Sequence, residues 1–132
     1  MRSKDTLLRL HRFHVEEKRR QVGDIEMMMA DFRRKQDDLD QQIAYEEQKT
    51  GVSDPANFNY SMTAKSIRKR RENLLATIED LQAQLDRANE AVAEEESELR
   101  KVELLAEKEA SHRNDIKVIG RPAEGAAGRT KH

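Results

Sequence analysis

The chain has 132 residues, 39% of them charged, no cysteine, no tryptophan, two prolines and a formal net charge of −1. Disulfides and thiolate metal sites are excluded, and the balanced charge argues against a general polyanion binder while allowing a local basic patch. Charge-rich composition with sustained periodicity specifies long helices with a single buried seam, marginal alone and open to stabilisation by a partner.

The first element opens at Ser3, a good N-cap, with Asp5 in the first turn where a helix favours negative charge. Helix 1 is expected over about residues 4–49. Its heptad a positions are Leu8, Val15, Val22, Met29, Gln36 and Ile43. The d positions are His11, Lys18, Ile25, Phe32, Leu39 and Glu46, so eight of these twelve are apolar in a chain that is 36% hydrophobic. Thr50-Gly51 stops the helix, with Gly51 supplying the left-handed residue common after a helix end.

A break follows over about residues 51–61. Asp54-Pro55 reads as a cap followed by proline, so one short helical turn is expected there. Asn59 or Ser61 then caps helix 2, expected over about residues 62–115. Its a positions are Ala64, Arg71, Ile78, Leu85, Val92, Leu99 and Ala106, and its d positions Ile67, Leu74, Leu81, Ala88, Glu95 and Val102. Eleven of these thirteen are apolar. A sustained a/d repeat flanked by charge predicts an all-α coiled coil. β-branched Ile116, Val118 and Ile119 weaken its end, and the Gly/Ala-rich polar residues 120–132 predict a disordered tail.

The break is too short to span either helix, which directs the second helix back along the first. Charge agrees. Residues 2–20 carry seven bases and three acids, and an antiparallel fold sets them against 90–108, with seven acids and three bases. Nearer the loop the signs reverse, six acids and four bases over 31–50 facing five bases and two acids over 60–79. The seam layers then join residues whose numbers add to about 110, with about 117, one heptad on, as the competitor. Both registers put the seam charges Lys18 and Glu95 one layer apart, and these are expected to pair and help set the register.

No phosphate-cradling glycine loop or nucleophile–base signature is present, and the carboxylates fall on solvated helix faces, so a non-enzymatic protein is expected. His11 and His14 have helical metal spacing, but no third ligand is evident, and no metal or cofactor is expected. The run Lys65-Ser66-Ile67-Arg68-Lys69-Arg70-Arg71 is read first as complementing the acidic end of helix 1, then as facing an acidic protein, and last as a nucleic-acid contact. Outward Leu10 and Phe13 are i, i+3 neighbours and form one candidate contact surface. Tyr45, Phe58 and Tyr60 gather at the loop end, either as a docking tip or, for Phe58 and Tyr60, as a plug over the last seam layer. The chain lacks the apolar run of a signal peptide or of a membrane span, so a soluble protein not secreted through a cleaved signal is expected, and the lack of cysteine is compatible with a cytosolic one.

The chain resembles the FliJ family of flagellar export proteins, in the form seen in α-proteobacteria, over roughly residues 1–113. The resemblance rests on Met-Arg-Ser-Lys-Asp-Thr-Leu-Leu-Arg-Leu-His-Arg-Phe-His-Val-Glu-Glu-Lys-Arg-Arg at the start, on Gly51-Val52-Ser53-Asp54-Pro55-Ala56-Asn57-Phe58, and on Leu99-Arg100-Lys101-Val102-Glu103. It implies an antiparallel two-helix coiled coil like the central stalk of rotary ATPases, in the type III export apparatus at the flagellar base. The implied partners are the flagellar export ATPase, the cytoplasmic domain of the export-gate membrane protein and, for some members, export chaperones, in the cytoplasm; charge balance and hydropathy add the expectation of no nucleic acid and no membrane insertion. On that reading Leu10 and Phe13 face the ATPase, and Tyr45, Phe58 and Tyr60 the gate. A generic coiled-coil adaptor or spacer, and a nucleic-acid arm like the hairpin of seryl-tRNA synthetases, are the alternatives.

Overall fold

The computed structural model describes residues 3–120, with side chains through residue 114. The tail expected beyond Gly120 lies outside the described residues. Two helices make up the described fold, α1 over Ser3–Thr50 and α2 over Met62–Gly120. No strand occurs among the described residues. The helix α1 already includes Ser3, the residue expected just outside it as a cap. The backbone of α2 stays helical to Gly120, past the end near residue 115 that β-branching suggested. The reason is magnitude: β-branching costs only a few tenths of a kcal/mol per residue in a helix.

Among the described residues two compact units are distinguished: 3–17 with 92–120, and 18–91. In the second, α1 and α2 pack antiparallel around Met29, Ile43, Ala64, Ile67 and Leu81, all buried. In the first, Val15 of α1 and Val102 of α2 are buried. The heptad pattern accounts for this burial: none of the a and d side chains named above is exposed. Cross-helix pairs within the two units have residue numbers adding to between 107 and 115, Asp40 with Arg71 giving 111. They scatter about the expected 110, and all fall short of 117.

The polar residues of the seam have identifiable partners in several layers. Arg71, an a residue, reaches across to Asp40 on the facing helix. Glu46, a d residue, accepts from the Ser61 hydroxyl at 3.4 Å. Ion pairs predicted from charge blocks are present too, with Lys4 Nζ 3.8 Å from Glu109 and Arg12 Nη2 4.0 Å from Glu103 in the first unit.

The reversal is built from local hydrogen bonds. Gly51 has φ 75°, and its N–H donates to the Glu47 carbonyl at 2.9 Å, closing α1 with a left-handed residue. The Thr50 hydroxyl donates back to the Glu46 and Glu47 carbonyls at 3.2 and 3.3 Å. In place of one helical turn the loop makes two consecutive turns, Asn57 N–H to Asp54 O and Tyr60 N–H to Asn57 O, both 3.0 Å. The Asp54 and Asn57 side chains each accept from the backbone N–H two residues on, at 2.9 and 2.8 Å, the Asx pattern that favours turns over helix. Ser61 is the N-cap of α2, its Oγ accepting from Ala64 N–H at 3.0 Å.

Candidate functional site

The loop end of the second unit separates the three aromatic residues grouped there by sequence. Phe58 is 99% exposed and Tyr45 63%, whereas Tyr60 is only 6% exposed. Tyr60 is therefore the plug, and Phe58 is not. The division follows from the turns: Phe58 sits in the middle of the Asn57–Tyr60 turn and Tyr60 closes it. Met62, in the first turn of α2, is 76% exposed and joins the tip. Tyr45 borders a shallow groove with Gln41, Gln42, Thr63 and Ile67, and Lys49 Nζ lies 5.7 Å from its ring centre.

Beneath the tip lies a closed triangle of polar side chains. The Tyr60 hydroxyl donates to Glu47 Oε2 at 2.5 Å, while Arg68 Nε donates to Tyr60 Oη at 2.7 Å and Arg68 Nη2 to Glu47 Oε2 at 3.0 Å. The hydroxyl and the guanidinium, in that order, hold the Glu47 carboxyl below its ordinary value. Burial pushes the Tyr60 phenol up, and the bond to Glu47 adds to it. The Arg68 guanidinium is raised by the same bonds, that to Tyr60 first. This arrangement fastens the loop to both helices and offers no reactive group. It also uses Arg68, as Asp40 uses Arg71, so two of the five bases between Lys65 and Arg71 are committed across the helix pair.

In the first unit Leu10 is 47% and Phe13 58% exposed, and Leu7, one helical step earlier, is just beyond half-buried. Leu7, Leu10 and Phe13 are spaced by three, which keeps them on adjoining parts of one α1 face. Leu104 and Leu105 of α2 are exposed as well. Leu7, Leu104 and Met62 were missed in the sequence because the heptad assigns faces without saying how well a flanking side chain is covered.

The same unit brings together His11, His14 and Glu95. One ligand atom from each lies within 4.8 Å of the other two, and His14 Nδ1 is 3.7 Å from Glu95 Oε1. The two imidazole rings meet edge-on at 6.0 Å between centres. His11 Nδ1 is buried and has no hydrogen-bond partner among the described residues, a situation that costs about 1–3 kcal/mol unless relieved. Within this unit His14 is the neighbour of Glu95, and Lys18, the residue the sequence pointed to, is half-buried. The sequence reading found no third group beside His11 and His14, although an antiparallel pairing near 110 sets His14 against residue 96, next to Glu95.

No helix of the described residues is long and apolar enough to cross a membrane. No family model, no curated protein and no solved structure matches this chain.

Proposed function

We propose that this chain is a non-enzymatic coiled-coil component of the flagellar type III export apparatus, coupling the export ATPase ring to the export gate. The proposal places it in the cytoplasm, peripheral to the inner membrane at the flagellar base, with export chaperones as further partners. The family resemblance of its opening and loop segments supports this reading. The structural observation that carries it is that, beside further exposed Met27, Met28, Leu104 and Leu105, each unit presents a group of exposed apolar side chains on a charge-rich helix pair. Leu7, Leu10 and Phe13 form one, and Tyr45, Phe58 and Met62 the other. Large apolar side chains left in water beside charged faces mark contact surfaces. The first group is assigned to the ATPase and the second to the gate.

The deciding experiment mixes the purified protein with the flagellar export ATPase and follows ATP hydrolysis and ring assembly. Stimulation at sub-stoichiometric ratios, lost in Leu10→Ala/Phe13→Ala, is expected. Absence of both binding and stimulation would overturn the assignment in favour of a generic coiled-coil adaptor. The nucleic-acid arm is disfavoured by the pairing of Arg68 and Arg71 with Glu47 and Asp40.

A further inference from the structure

We propose that His11, His14 and Glu95 form a cross-helix binding site for a divalent transition-metal ion of the zinc type. Two imidazoles and one carboxylate are a recurrent three-ligand set for Zn²⁺, leaving a fourth position for water. Imidazole donors select Zn²⁺, Ni²⁺ or Co²⁺ over Mg²⁺ and Ca²⁺, which prefer all-oxygen shells.

Three observations carry the proposal. His11 and His14 are three residues apart on α1, so both rings project from neighbouring positions of one helix face. Glu95 comes from α2, so the set spans two elements and its geometry is imposed by packing. His11, finally, is a polar residue at a seam d position with a buried ring nitrogen that has no partner among the described residues. Leucine would fill that layer at no such cost, and metal ligation gives the imidazole a use there.

The donors need only a short approach. Donors on a tetrahedral ion at about 2.0–2.1 Å stand about 3.3 Å apart, and the His14–Glu95 pair is already at 3.7 Å. All three atoms lie within 4.8 Å, so χ rotations of half-buried side chains close the remaining gap. A bound ion would clip α1 to α2 at this layer. The inference is independent of the export reading, and neither stands or falls with the other.

The test titrates the chelator-treated full chain with Zn²⁺ alone by calorimetry, and with Co²⁺ by visible absorption. One equivalent with a Kd of about 1 μM or tighter is expected, together with a Tm raised by Zn²⁺ and not by Mg²⁺. His14→Gln and Glu95→Gln should each weaken zinc binding at least about tenfold. His11→Leu should also lose it, while melting at or above the parent temperature in metal-free buffer, which separates loss of the site from loss of the fold. His112→Ala/His132→Ala should bind as the parent does. Retention of affinity in His11→Leu or Glu95→Gln, or its loss in the His112/His132 variant, would overturn the proposal, as would no saturable binding.

Discussion

The Tyr60 hydroxyl donates to Glu47 Oε2 at 2.5 Å, tying the last loop residues to the end of α1. Arg68 donates to both, so a single guanidinium closes the contact from α2. Tyr60→Phe keeps the ring and removes the junction, and should cost roughly 1–2 kcal/mol in urea unfolding near neutral pH. The loss should depend on pH. Glu47 has a lowered folded-state value, so its contribution is present above the ordinary value of 4.5 and fades as pH falls through the folded value. The Tyr60 hydroxyl is the first cause of that lowering. The stability difference between parent and Tyr60→Phe should therefore narrow as the pH falls below about 4.5. A constant difference would mean the hydroxyl acts through packing alone.

Gly23 lies inside α1, and a Cβ built there meets nothing within 4 Å. Gly23→Ala should raise stability by about 0.5–1 kcal/mol through helix propensity and a less flexible unfolded chain. Gly51 has equal room, yet its φ of 75° makes an L side chain strained. Gly51→Ala should lower stability by roughly 1 kcal/mol. Denaturant midpoints of the two variants, moving in opposite directions, check both statements.

Arg71 occupies a seam position and is satisfied by Asp40, each about a third or more exposed. Removing Asp40 strands a half-buried guanidinium, so Asp40→Ala should destabilise by about 1 kcal/mol. Arg71→Leu should be neutral or slightly stabilising, since an apolar side chain packs the layer without desolvating charge. Its expected defect is register. Spin labels on cysteines introduced at exposed Arg33 and Thr77 should show a broader distance distribution in Arg71→Leu than in the parent.

The assigned contact residues are distinguishable from core residues by stability. Leu10→Ala/Phe13→Ala and Tyr45→Ala/Phe58→Ala should each change unfolding free energy by roughly 0.5 kcal/mol or less, because little area is uncovered. Tyr60→Ala should cost roughly 3 kcal/mol, as buried aromatics do. Tyr60 accordingly does not belong in a binding test of the tip. Loss of gate binding in Tyr45→Ala/Phe58→Ala with an unchanged melt would mark a surface effect, and unchanged gate binding would remove the tip assignment.

The helices, the seam and the antiparallel sense were legible in the sequence because they follow from periodicity and blockwise charge, which average over many residues. The seam layers through Met29, Ile43, Ile67 and Leu81 illustrate this: each is apolar at its heptad position and each is buried. What only the tertiary structure decided depends on single side chains and on backbone turns. Phe58 and Tyr60 are two residues apart and similar in character, yet one points into water and the other under the loop. The Asn57–Tyr60 turn, which no heptad describes, makes that choice. The heptad likewise pointed from Glu95 to Lys18 and said nothing of His14, whose Nδ1 lies 3.7 Å from the Glu95 carboxylate. Packing within the unit sets His14 beside Glu95, and with His14 comes His11, because a helix presents residues three apart on one face.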